Sequence, residues 1–260
     1  MSLLVDSHCH LDFAELAADV PGALADMAAN GVSHALCVSV TLEDFPKVRA
    51  LAEQHENLFA SVGTHPDYPD HPVVAPQTLV ELASHPKVVA IGETGLDRHW
   101  DFTPFEMQQD YFDRHMALAG RLDLPFIVHM RDCDAEIMEA LRAEHRRRGP
   151  LRGIMHSFTG DAAMAAECMA LGLHISFAGM VTYKKSQPLR DCAATIPADR
   201  VLIETDCPYL SPEPVRGKRP NEPAFVAHTA TCLAIARSIS PQEVARQTTA
   251  NARALFRIAP

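Results

Sequence analysis

His8 and His10 stand two residues apart at the end of a short apolar run near the start of the chain, and Glu93, His129, His156 and Asp206 close four further runs. Side chains two apart on a strand point the same way, so His8 and His10 can grip one ion together. Imidazole nitrogens mixed with carboxylate oxygens suit Zn, Mn, Fe or Co. Mg prefers oxygen and water, so this donor set admits Mg as an activating ion without favouring it as the tightest binder. A lone histidine at a strand end is more often a satisfied polar residue than a ligand. Five strands ending in ligands are another matter. Each buried imidazole or carboxylate left without a partner would cost several kcal/mol, and a shared cation removes that cost.

Residues spread over 200 positions reach one place only if the fold gathers them. Short apolar runs alternate with amphipathic stretches throughout, the pattern of βα units on a parallel sheet. The spacing predicts strands at Leu3–His8, Ser33–Val40, Leu58–Gly63, Val88–Glu93, Pro125–His129, Gly153–His156, Leu173–Ser176 and Val201–Glu204. Helices are predicted over 20–30, 43–55, 76–84, 104–122, 134–148, 161–171, 187–196 and 222–237. A last one, 241–257, opens on Ser240 as N-cap with Pro241 in the first helical position. Eight such units close into a (β/α)8 TIM barrel, in which the C-terminal ends of all strands share one rim. The competing open, doubly wound sheet usually carries a glycine-rich loop after its first strand. That place holds His8-Cys9-His10 instead. No linker or break in composition interrupts the chain, so residues 1–260 read as a single domain. The longest irregular stretch, Cys207–Pro223, follows the eighth strand, and such loops are often functional.

Composition narrows the function. Of 260 residues, 47% are apolar and 22% charged, the balance of an ordinary globular protein. The net charge is −10, from 23 basic and 33 acidic residues. A protein that grips nucleic acid by coating its phosphates would be basic. Any phosphate substrate must therefore be drawn to a local positive site, which bound metal ions would supply. No apolar run approaches the ~18 residues of a membrane span, and no signal peptide is readable at the start. Seven cysteines without a CxxC pair argue against a disulfide framework. A reducing cytosol fits best.

The runs Asp6-Ser-His-Cys-His-Leu-Asp12, Ile91-Gly-Glu-Thr-Gly-Leu-Asp97, Ile127-Val-His-Met-Arg-Asp132, His156-Ser-Phe-Thr-Gly160 and Ile203-Glu-Thr-Asp-Cys-Pro-Tyr209 together resemble the motifs of the TatD family of metal-dependent hydrolases. The match runs in order over nearly the whole chain. The resemblance implies a barrel fold, two divalent ions and metal-dependent DNA hydrolysis, often 3′→5′ on single strands. It further implies that His8, His10 and Asp206 hold the first ion, that His129 and His156 hold the second, and that Glu93 bridges them. It suggests for His65, in Gly63-Thr-His-Pro66, a contact to substrate phosphate or to the attacking water, although a His before Pro also shapes turns. The stretch Arg216-Gly-Lys-Arg-Pro-Asn-Glu-Pro223 resembles the family's loop after strand eight. The family tends to be monomeric, and no interface stripe is legible here.

Other roles come from the residues directly. Two ions polarise a phosphoryl or carbonyl oxygen and acidify water, and Asp206 is the candidate carboxylate to orient or deprotonate that water. Asp6 and Glu204, each two before a candidate ligand, should point inward beneath the site and brace an imidazole or feed the water network. A barrel salt bridge would explain them equally. Arg131, two after His129, should face the same pocket and bind an oxyanion. Arg216, Lys218 and Arg219 could add local phosphate attraction. Cys9 and Cys207 read as packing residues, and the remaining histidines, His71 and His174 among them, receive no role. The leading expectation is thus a metal-dependent deoxyribonuclease. Its rival is an ester or amide hydrolase with the same ligands, such as an aminoacyl-tRNA deacylase. A metal-bound scaffold without catalysis is a third reading.

Overall fold

The structure, a computed structural model, describes residues 3–68, 76–100 and 102–258; His71 lies outside them. Eight parallel strands run in the spatial order of the sequence: β1 (Leu4–Cys9), β2 (Val32–Cys37), β3 (Leu58–Val62), β4 (Val88–Asp97), β5 (Phe126–Arg131), β6 (Gly153–Met155), β7 (His174–Phe177) and β8 (Val201–Ile203). Adjacent pairing of consecutive parallel strands requires a crossover between each pair, and helices provide it. These are α1 (Ala14–Ala17), α2 (Val20–Ala29), α3 (Phe45–Gln54), α4 (Pro76–Ala83), α5 (Phe105–Leu122), α6 (Asp134–Arg148), α7 (Ala162–Ala170), α8 (Gln187–Thr195), α9 (Val226–Ala236) and α10 (Pro241–Phe256). The short α1 and two 3-10 turns, Gly179–Thr182 and Pro223–Phe225, are additions to the sequence reading. This is a (β/α)8 barrel.

β1 and β8 close the ring through a parallel bridge between Cys9 and Cys207. Around it, His10 N donates to Cys207 O at 2.9 Å and Asp206 N donates to His8 O at 2.9 Å. The first and last strands are thereby zipped together where three candidate ligands sit. Thiols at the bridge suit the crowding, since both side chains are fully buried. They pack as small apolar groups.

A buried cluster joins Val5, Leu36, Val89, Ile127, Ile154 and Leu202 to Leu255 and Phe256 of α10. Each of the strand residues on β1, β4, β5, β6 and β8 precedes a candidate ligand by two to four positions. At ~3.3 Å per residue it lies a layer or more below that ligand. The last helix therefore plugs the end of the barrel opposite the ligands. That helix starts as its sequence requires, with the Ser240 side chain accepting from Glu243 N at 3.1 Å and Pro241 in the first turn.

β4 runs four residues beyond its predicted end at Glu93, and those four matter. Gly95, Leu96 and Asp97 pair with His129, Met130 and Arg131 of β5. Gly95 permits this. It sits at φ +147°, and a Cβ there would run into the His129 carbonyl, so only glycine lets the two backbones approach so closely. The strand continues past Glu93 because position 95 is glycine.

Candidate metal centre

The six candidate ligands converge on the C-terminal rim. Glu93, on β4, is the hub. Its Oε1 lies 2.9 Å from His129 Nδ1 and 2.8 Å from His156 Nε2, while its Oε2 lies 3.3 Å from His8 Nε2. On the far side of His8 a triangle forms: His8 Nε2 to His10 Nε2 is 3.2 Å, His10 Nε2 to Asp206 Oδ1 is 3.5 Å, and His8 Nε2 to Asp206 Oδ1 is 3.6 Å. Four ligands placed tetrahedrally at ~2.1 Å from an ion are about 3.4 Å from one another. The triangle has that size. Four clusters bring three such side chains together among the described residues: His8–Glu93–His156, His8–His10–Asp206 and His65–Glu93–His129 at the rim, and Asp6–Cys9–Cys207 at the β1–β8 seam.

The outward nitrogens of the rings say what the inward ones present. His10 Nδ1 lies 2.9 Å from Val38 O, a carbonyl that can only accept, so that nitrogen carries the proton. His129 Nε2 faces Asp97 Oδ2 at 2.8 Å, and His156 Nδ1 faces Glu204 Oε1 at 3.1 Å. Each neutral ring then turns a lone pair toward the centre, against the Glu93 or Asp206 carboxylate. Lone pairs opposed at 2.8–3.5 Å repel unless a proton or a cation lies between them. The donor set therefore fits divalent cations. His8 Nδ1, buried without a hydrogen-bond partner, is the exception.

In the metal-free protein, protons take the cation's part. Burial works against the charged forms of His10, His129 and His156, but Asp206, Asp97, Glu93 and Glu204 overcome it and hold all three above the ordinary histidine value. Burial likewise opposes ionised Glu93 and Asp206, and the surrounding imidazoles pull both below the usual carboxylate range. His8 goes the other way, lowered by burial and by the charge of His156.

His65 joins this rim from the end of β3, with Nε2 3.2 Å from His129 Nδ1 and 3.6 Å from Glu93 Oε1. Asp67 N donates to its Nδ1 at 3.1 Å, so the neutral ring bears its proton on Nε2. Burial, with the charge of His129, pushes its pKa down to about 3, which keeps it neutral. His65 thus aims an N–H at the centre, a hydrogen-bond donor where its neighbours offer lone pairs.

The carboxylates beneath behave differently from one another. Glu204, fully buried, accepts from Ser157 N at 2.5 Å and from Ser176 Oγ at 2.6 Å besides facing His156. It braces an imidazole, as its position two before Asp206 implies. Asp6 does not. It accepts from Thr205 Oγ1 at 2.6 Å, Thr205 N at 2.9 Å and His8 N at 3.3 Å, which ties β1 to the backbone after β8. Burial raises its pKa to about 8. Asp97, quoted in the sequence motif without a role, braces His129. The signal was available, because 93, 95 and 97 share one face of a strand once the strand is known to reach that far.

The basic candidates are more dispersed. Arg131 ends β5, exposed, with its guanidinium over the Trp100 ring. Arg216 packs its guanidinium on Tyr183 at 3.9 Å, and Arg216, Lys218 and Arg219 are all exposed. Asn221, fully buried, donates to Thr205 O at 2.9 Å and accepts no such exposure. It pins the base of the loop while the basic tip projects into solvent. Among the described residues, no helix is long and apolar enough to cross a membrane.

This arrangement has relatives. The family model described as TatD related DNase matches residues 5–257. The chain is 38% identical to the uncharacterized metal-dependent hydrolase YabD of Bacillus subtilis, over 98% of this chain and 100% of that one. It is 40% identical to the uncharacterized metal-dependent hydrolase YcfH of Escherichia coli K12, over 98% of this chain and 96% of that one. The crystal structure of YjjV, a TatD homolog from Escherichia coli K12, superposes with a TM-score of 0.91 at 32% identity, covering 98% of each chain.

Proposed function

The chain belongs to the TatD family, and from that premise we propose that it is a metal-dependent hydrolase that cuts DNA at phosphodiester bonds, trimming strands from the 3′ end. The observation that carries this reading is the Glu93 carboxylate, whose two oxygens face two different sets of donors. Such a group can serve two ions about 3.5–4 Å apart. We assign His8, His10 and Asp206 to one, His129 and His156 to the other, and Glu93 to both. When bound, the ions would polarise the phosphoryl oxygen and acidify water beside them.

The chain's own groups do the rest. Asp206 has 16% of its side chain exposed, within reach of the entering water, and is placed to orient that water and take its proton. His65 supplies the N–H that a non-bridging phosphate oxygen would accept. Asp97 and Glu204 hold the rings of His129 and His156 in the tautomers that keep the inward lone pairs free. Arg131, at the rim, supplies a guanidinium for phosphate. The seven cysteines are free, as suits a cytosolic monomer.

The test is hydrolysis of end-labelled single-stranded DNA by metal-loaded protein, with Asp206→Ala as control. Progressive shortening from the 3′ end is expected. No shortening above the control, with turnover of an aminoacyl ester or small amide in a parallel panel, would replace this reading by its rival. Elemental analysis gives the number and identity of the ions.

A further inference from the structure

We infer that Trp100 seats an unpaired nucleobase of the strand whose backbone enters the metal centre; this rests on the nuclease reading and names how a strand is held. The large apolar side chains exposed among the described residues are Leu3, Tyr68, Trp100, Phe102, Tyr209 and Ile235. Four of these are aromatic, and all four lie on loops that follow β3, β4 and β8, on the rim that carries the ligands. Leu3 lies at the opposite end and Ile235 on α9. Apolar side chains exposed singly are ordinary, whereas exposed aromatic rings gathered on one rim mark a place of contact.

Trp100 is anchored to the chemistry. The Asp97 carboxylate that accepts from His129 with one oxygen accepts from His99 N at 2.7 Å and Trp100 N at 3.1 Å with the other. The turn bearing the indole is therefore indexed to a candidate ligand of the centre. Phe102 stacks on Trp100 with ring centroids 5.5 Å apart and planes within 9°, and His99 meets its edge at 4.8 Å. No base fits between Trp100 and Phe102, since that would need about twice the ~3.4 Å base-stacking distance. Phe102 is a backing for the indole.

Arg131 gives the slot its other wall. Its guanidinium stands 5.9 Å from the Trp100 centroid, about 2 Å further out than the closed pairs Arg98–Phe105 at 3.7 Å and Arg216–Tyr183 at 3.9 Å. A base between indole and guanidinium needs about 7 Å, a small swing of a long exposed side chain. Stacking of this kind accepts any base, because every base has a π face. It also suits a chain of net charge −10, which cannot hold a strand by coating its phosphates. Paired bases inside a duplex do not offer their faces, so the seat selects single-stranded ends.

Trp100 is the only tryptophan in the chain, so intrinsic fluorescence reports on this seat alone. Metal-loaded protein is titrated with a cleavage-resistant phosphorothioate oligothymidylate, the same strand with abasic terminal units, and a blunt duplex. The full strand should quench the indole, and the other two should not. Trp100→Ala should weaken binding of the full strand about tenfold and bring no further loss on the abasic strand, while Trp100→Phe should restore most of the affinity. An indole unchanged by the resistant strand, while the unmodified oligothymidylate is degraded in parallel, overturns this inference and leaves the nuclease reading standing. So do losses that add in the double change, or equal quenching by duplex. If the resistant strand does not bind and the unmodified one is not degraded, the nuclease reading falls, and this inference with it.

Discussion

Asp97 Oδ2 lies 2.8 Å from His129 Nε2, and that contact decides which nitrogen of His129 is free to bind an ion. An Asn at position 97 would turn an amide N–H toward Nε2 and drive the ring proton to Nδ1, the nitrogen that faces Glu93. Asp97→Asn should therefore lower metal affinity about 10- to 100-fold while the chelated protein unfolds at nearly the wild-type temperature. Competition against a chromophoric chelator measures the first and calorimetry the second. Unchanged affinity would show that Asp97 does not set the tautomer.

Glu204 carries a heavier structural duty. Its loss leaves the His156 ring and Ser157 N without their acceptor, and Ser176 Oγ with only Ser7 Oγ, in a fully buried place. Glu204→Leu should cost about 3–5 kcal/mol in urea unfolding. Ser176→Ala, which removes one of those donors, should cost about 1–2 kcal/mol. Equal losses from the two changes would contradict this ranking.

Removing the ions should soften the whole barrel, because opposed lone pairs at the centre lose the cations between them. Ions present at about 100 times their dissociation constant stabilise by about 2.7 kcal/mol. For a domain of this size that corresponds to a fall in Tm of about 5–10 °C on chelation. A Tm indifferent to chelator would mean that the donors close on each other without an ion.

His174, at the start of β7 and remote from the rim, provides a pH probe of the fold itself. Burial, helped by the charge of Arg200, lowers its pKa to about 4, and its Nδ1 is buried without a partner. With the folded value below the unfolded one, the unfolded chain binds more protons between the two. Stability should therefore fall as pH drops from about 6.5 to about 4, by an amount on the order of 2 kcal/mol. His174→Leu should flatten that part of the curve in denaturant titrations. An unaltered slope would place the cause in other groups.

Much of this was readable from residue order, and the reasons differ from place to place. Parallel strands buried on both faces announce themselves as short apolar runs, so all eight were located within a few residues. Ligand types at strand ends then predicted their convergence without any distance in hand. Parity did less well. It placed Asp6 and Glu204 alike, yet only Glu204 meets an imidazole, because Thr205 sits where it can satisfy Asp6 first. Asp97 went unread because the extension of β4 depends on how close the β5 backbone comes to Gly95, which is a tertiary fact. The four-residue α1 is too short to show a helical period at all.

The seam between β1 and β8 has a consequence for how the molecule is made. The triangle His8, His10 and Asp206 draws its corners from the first and last staves of the barrel, nearly 200 residues apart along the chain. During synthesis the two histidines emerge early and wait for Asp206, so that cradle is finished only when most of the protein has left the ribosome. An ion taken up there would act as a clasp on the completed ring, and a chain cut short before the eighth strand could not fasten it.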